Sequence, residues 1–182
     1  MRKYRAMVGI VILMAGIFSC AVSGEGAMAQ KIEVRSPAFD DGDKIPRDFT
    51  CDGKNISPPV AWSGVPADAK SLAIIADDPD APAGDWVHWL VYDLSPSLTQ
   101  LPEGIPEGGR LSVGGSQGRT DFGTVGYGGP CPPKGTHRYF FKIYALDGML
   151  HLKPGATKKE LLAAMQGHVL AEGQLLGTYK RS

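Results

Sequence analysis

The stretch Ser71-Leu-Ala-Ile-Ile-Ala-Asp-Asp-Pro-Asp-Ala-Pro-Ala-Gly-Asp-Trp-Val-His-Trp-Leu-Val-Tyr92 decides the fold class. Its first six residues form a short apolar run bounded by turn signals, the pattern of a buried strand. Trp86 to Tyr92 is rich in aromatic and β-branched residues and reads as a second strand. Between them lie Asp78, Pro79, Asp80 and Pro82. Proline stiffens such a loop, and a stiff loop fixes its polar groups before any ligand arrives. With a period of two, His88 is expected to share a face with Trp86, Leu90 and Tyr92. A lone strand histidine is usually a core residue held by one hydrogen bond. The nearby carboxylates favour a larger role, because a carboxylate fixes an imidazole's tautomer and favours its charged form.

A second cluster, Gly128-Gly-Pro-Cys-Pro-Pro-Lys-Gly-Thr-His-Arg-Tyr139, has the same character. The two clusters read as two walls of one small polar pocket. His137 enters the next strand candidate, with Tyr139 on its side and Arg138 on the other. Arg138 is expected in a structural ion pair. Gly128 and Gly129 offer backbone amides, which are natural anion binders. Two imidazoles, glycine amides and the Tyr139 hydroxyl suit a small anion such as phosphate. Asp78 or Asp80 is expected to orient an imidazole; the competing reading is a local Asx turn before proline.

Further strands are expected at Ile32-Glu-Val34, along Arg138-Tyr-Phe-Phe-Lys-Ile-Tyr-Ala-Leu146 and at Leu175 to Lys180. One helix is persuasive. Thr157-Lys-Lys-Glu160 matches a capping box, and Leu161, Leu162, Met165 and Val169 follow near helical spacing, with Gly167 or Gly173 ending it. The Gly- and Pro-rich stretch from Leu94 to Gly135 reads as ordered loop. No repeat or domain boundary is visible. The class is mostly β, with one or two peripheral helices.

The N-terminus carries Arg2, Lys3 and Arg5, an apolar run from Met7 to Cys20, and Ala27-Met-Ala29 before Gln30. This is the pattern of a secretory signal over residues 1–29, with a run too short for a membrane span. A retained anchor and a lipid on Cys20 are the alternatives, the latter because Ile17-Phe-Ser-Cys20 partly matches a lipobox. We therefore expect a periplasmic or secreted protein with no stable membrane span after processing. Residues 30–182 then form one domain of 153 residues, enough for a real core. Removing Arg2, Lys3, Arg5 and Glu25 leaves 16 basic and 18 acidic residues, without a basic run. That excludes a nucleic-acid binder, which needs clustered Lys and Arg. The remaining pair, Cys51 and Cys131, suggests a disulfide in an exported chain, with two free thiols as the alternative.

Two other patterns are weighed. Gly114-Gly-Ser-Gln-Gly118 fits the nucleophile-elbow string but lacks the helix that must follow, and is set aside. His88, His137 and one aspartate would make a two-His, one-carboxylate iron site; no spacing demands it, and it stays as a minor alternative.

The chain resembles the phosphatidylethanolamine-binding proteins, also called Raf kinase inhibitor-like proteins, in their bacterial branch. The resemblance rests on Asp78-Pro-Asp-Ala-Pro82, His88-Trp-Leu, Gly135-Thr-His-Arg-Tyr139, Thr50-Cys-Asp-Gly-Lys-Asn-Ile-Ser-Pro-Pro59, Tyr127-Gly-Gly-Pro-Cys-Pro-Pro133, and Gly167-His-Val-Leu170 with Gly177-Thr-Tyr179. It covers about residues 32 to 181. It implies a central antiparallel sheet packed on a smaller sheet, and an anion-accepting pocket at one end. Asp78, Pro82 and His88 fall on the first wall; Gly129, Pro130, His137 and Tyr139 fall on the second. Asp80 matches a position beside the pocket. The resemblance implies a non-catalytic binder of small anionic ligands, without cofactor. The alternative is an interaction module that inhibits an exported protease or another partner. Animal members carry a further C-terminal helix near the pocket. A chain stopping at Ser182 is expected to have a more open pocket and no kinase-inhibitor role.

Overall fold

The computed structural model describes residues 30–181; the signal expected over residues 1–29, with Cys20, lies outside them. In chain order the strands are β1 (Gln30–Lys31), β2 (Glu33–Arg35), β3 (Val60–Ser63), β4 (Ser71–Asp78), β5 (Trp86–Leu94), β6 (Gln100–Leu101), β7 (Ser116–Gln117), β8 (Thr136–Leu146) and β9 (Val169–Lys180). One helix, α1 (Lys158–Met165), precedes β9. A six-stranded sheet runs β1-β9-β8-β4-β5-β7, and a three-stranded sheet runs β2-β3-β6. Every pairing is antiparallel except that of β1 with β9.

β4 sits at the centre and all eight of its residues are buried, which explains the apolar run from Leu72 to Ala76. Leu72, Ile74 and Ala76 face the larger core, shared with Val60, Trp62 and Leu101 of the small sheet. Ala73 and Ile75 face the other side, where Leu161 and Met165 of α1 cover them. Two of the strand's last residues are carboxylates, and each finds its own solution. Asp77 lies on the α1 side and accepts Lys142 Nζ at 2.8 Å and Lys158 Nζ at 2.6 Å. Lys158 also holds Asp85, so this network ties the helix to the loop after β4. Asp78 falls on the opposite face.

The pairing of β4 with β5 skips one residue: Ala76 faces Trp89, and Asp77 faces Val87. His88 is the extra residue of this bulge. The expected face-sharing is corrected here for Leu90 and Tyr92, whereas Trp86 does join His88 at the pocket and against Phe122. Leu90 and Tyr92 pack in the α1-side core, whereas the His88 ring meets Tyr139, a residue of the larger core, at 5.1 Å. The bulge breaks the period of two and re-aims His88.

α1 starts as expected, with a complete capping box between Thr157 and Glu160. It ends at Met165, so that Gly167 is the stop of the two expected and Gly173 is not. Gly167 takes a left-handed φ of 81°, and Val169 begins β9 instead of extending the helix. Among the described residues, no helix is long and apolar enough to cross a membrane. Cys51 and Cys131 are joined, with Cα atoms 5.4 Å apart across 80 positions of sequence. The bridge clamps the Thr50–Gly53 turn to the Pro-rich loop before β8.

Candidate functional site

Asp78 ends β4, His88 bulges from β5, and His137 lies near the start of β8. Because the three strands are neighbours, these residues meet at one end of the large sheet. Asp78 is 3 % exposed, His88 4 % and His137 6 %. Asp78 uses both carboxylate oxygens. Oδ2 accepts from His137 Nδ1 at 2.8 Å, and Oδ1 accepts the Asp80 amide at 2.8 Å. The Asx turn and the imidazole-orienting role, weighed as alternatives, are both present in one side chain. Asp80 faces away and accepts Arg138 Nε at 2.9 Å and Nη2 at 2.7 Å, with the Arg138 amide at 3.0 Å. This Arg138 pairing holds the Asp80 carboxyl down at about 2. It latches the proline loop onto β8.

His88 Nδ1 lies 2.6 Å from the Gly128 carbonyl oxygen. A carbonyl can only accept, so Nδ1 must carry the hydrogen. The same argument puts hydrogen on His137 Nδ1, which faces a carboxylate. Both rings therefore keep Nε2 for the pocket. Burial pulls the His88 pKa below the ordinary imidazole value, against the Gly128 hydrogen bond and the more distant charges of Asp78, Asp77 and Asp121. In the free protein His88 is therefore neutral at neutral pH, and its Nε2 is an acceptor. The aromatic edges of Phe122, at 5.2 Å, and Tyr139 hold the ring on two sides.

The cavity above these groups holds about 230 Å³. That suits a small headgroup better than a drug-sized molecule, which needs at least about 300 Å³. Ala81, Pro82, Ala83 and Trp86 line one side; Phe122, Cys131, Pro132 and Pro133 line the other. Gly129, Pro130 and Tyr139, expected on the second wall, stand behind that surface, as does Gly128. The Gly128 amide donates to the His88 carbonyl at 2.8 Å, and the Gly129 amide donates to Asn55 Oδ1 at 2.8 Å. Neither is a bare anion donor, because the loop spends both amides on its own architecture. The Pro130 carbonyl accepts the Cys51 amide at 3.1 Å. Tyr139 is 2 % exposed, and its hydroxyl meets no partner with hydrogen-bond geometry. Burial and then the charge of Asp78 push its pKa up.

Gly129 is required by close approach. A Cβ there would lie 2.6 Å from both Asn55 Oδ1 and the Phe49 carbonyl oxygen. Gly129→Ala is expected to cost about 2 kcal/mol, from overpacking against backbone. Chemical denaturation of the variant checks this; a loss below about 0.5 kcal/mol would show that the wall yields freely.

The Gly-x-Ser-x-Gly string is structural. Ser116 and Gln117 form edge strand β7, and Gln117 binds Trp89 Nε1 through Oε1 at 2.8 Å. Among the described residues, no three His, Cys, Asp or Glu side chains are grouped to hold a metal. Sequence reasoning missed Trp86 and Phe122 as pocket residues. Phe122 is 44 % exposed inside a glycine-rich loop, and a large apolar residue in so polar a context was the available signal.

A family model described as phosphatidylethanolamine-binding protein matches residues 35–180. A UPF0098 protein of Methanothermobacter thermautotrophicus is 55% identical over 150 residues, covering 82% of this chain and 99% of the relative. A UPF0098 protein of Aquifex aeolicus is 46% identical over 178 residues, 96% of this chain and 99% of the relative. Among solved structures, the Chlamydia trachomatis protein CT736, described as a homologue of that family, shares 43% identity at a TM-score of 0.78. Escherichia coli YbcL, described as a member of the mammalian family, shares 32% identity at a TM-score of 0.76. Each structural match covers 84% of this chain and 99% of the other.

Proposed function

The chain belongs to the phosphatidylethanolamine-binding protein family, and from that premise we propose that it binds small phosphate-type oxyanions, without catalysis, between His88 and His137. The observation carrying this reading is the shared commitment of both Nδ1 atoms, which turns two Nε2 atoms to one small cavity. A buried carboxylate on the pocket floor opposes a bare anion, so binding must bring protons with it. An imidazolium donates from Nε2, whereas a neutral ring accepts there. A singly protonated phosphate serves both states: its hydroxyl donates a hydrogen bond to a neutral ring, and its bare oxygens accept one from a protonated ring.

The sign of the pH dependence follows from His88. Burial lowers its pKa in the free protein, and a bound anion raises it again. Affinity is then greatest at or below the free-state pKa and is lost as pH rises through the bound-state value. Between about pH 8 and about pH 6, phosphate affinity is expected to rise on acidification. His137→Ala should weaken binding about tenfold or more, the loss of one charge-assisted hydrogen bond. Calorimetric titration with phosphate at several pH values checks both. Affinity independent of pH, or unchanged in the variant, would sink the mechanism.

Export is part of the proposal, supported by the N-terminal pattern and the bridged cysteines. A second reading, docking of an exported protein at the pocket rim, is favoured by the exposed Phe122 at the pocket wall. It expects small anions to compete with the partner.

A further inference from the structure

Arg47 and Arg181 come from opposite ends of the described chain and line one cleft with Asp52 and Pro133. Asp52 organises them. Its backbone carbonyl accepts Arg47 Nε at 2.7 Å, and its Oδ1 accepts Arg181 Nε at 3.1 Å. Its Oδ2 accepts the Tyr179 hydroxyl at 2.9 Å. That Tyr179 bond, with the arginine charges behind it, keeps the carboxyl below its ordinary pKa and therefore ionised. Each guanidinium is thus engaged through Nε, while its two Nη nitrogens have no partner among the described hydrogen bonds. Two fixed positive forks stand against one fully engaged carboxylate. The neighbouring Asp48 does not cancel the excess, because Lys54 holds it at 2.7 Å.

The frame around the forks is stiff. The Cys51–Cys131 bridge sits one residue from Asp52 and two from Pro133. The cavity holds about 340 Å³, room for an organic acid or a phosphate. A guanidinium fork matches the paired oxygens of carboxylate and phosphate. We propose that Arg47 and Arg181 form a second oxyanion-binding site, which takes a carboxylate or phosphate group through their free Nη edges. Pro133 lines both this cleft and the histidine cavity. The sites are neighbours with separate donors, so this proposal does not depend on the histidine reading.

The test is an NMR titration of the purified protein with inorganic phosphate and, separately, acetate. Ionic strength is held constant with sodium chloride. The arginine side-chain signals of Arg47 and Arg181 are read alongside the Asp52 and Lys134 amides. Saturable shifts are expected with both anions, but none with added chloride alone. The double variant R47Q/R181Q should weaken this response about tenfold, while the His88 and His137 signals still respond to phosphate. R47K/R181K, which keeps charge but loses the fork, should fall between. Both arginines are exposed, so the thermal midpoint is expected to move little; if the glutamine variant does unfold, the lysine variant carries the comparison. His137→Ala should leave the arginine response intact. Shifts that track chloride, survive R47Q/R181Q, or vanish in His137→Ala would each overturn the proposal.

Discussion

Reduction of the Cys51–Cys131 bridge is expected to lower the unfolding free energy by about 4 kcal/mol, from the chain-entropy cost of releasing a long closed loop. The loop spans 80 positions. Against the roughly 5–15 kcal/mol that holds a typical domain folded, such a loss is a quarter or more of the total. The effect reaches the pocket, since Cys131 lines it and Cys51 donates its amide to Pro130. Urea unfolding with and without a dithiol reductant measures the difference, and a double Cys→Ser variant repeats it without reductant. A midpoint that does not move would mean the loop is held by its packing and not by the bridge.

Asp78→Asn is expected to cost about 2–3 kcal/mol, because it leaves one of two buried donors without its acceptor oxygen. Asparagine keeps the shape but cannot satisfy both neighbours. The Asp80 amide and His137 Nδ1 both donate to Asp78, and the new NH₂ group would face one of these donors with a donor. The substitution should also abolish the fixed tautomer of His137, and phosphate affinity with it. Denaturant unfolding and a phosphate titration of the same sample read the two effects together. Full stability with lost binding would show that Asp78 serves the site alone; the converse would make it purely architectural.

Three long strands were legible because each carries its own signal. β4 is apolar from Leu72 to Ala76, and β5 and β8 are dense in aromatic and β-branched residues. β9 was read only from Leu175, although it begins at Val169. Thr157 and Glu160 announced the start of α1. Its end was harder to read, since Val169 fits helical spacing and only the φ of Gly167 excludes it. The three polar pocket residues were visible as an unusual grouping, while Gly129, Pro130 and Tyr139 sit behind the surface that Cys131, Pro132 and Pro133 form. Gly129 looks like an anion binder until Asn55, far away in sequence, takes its amide. The bulge at His88 has no local signature, because it arises from how β5 registers against Asp77 and Ala76. Such long-range pairings decide which face a side chain occupies, and no window along the chain contains them.

The most direct test of the oxyanion pocket is the nitrogen NMR spectrum of the two imidazole rings, with and without phosphate. Without phosphate, His88 is expected as the neutral tautomer with hydrogen on Nδ1, and His137 with hydrogen on Nδ1 facing Asp78. Saturating phosphate should move both Nε2 signals together, toward the protonated form for at least one ring. A His88 found with hydrogen on Nε2, or Nε2 signals unmoved by saturating phosphate in the folded protein, would contradict the account.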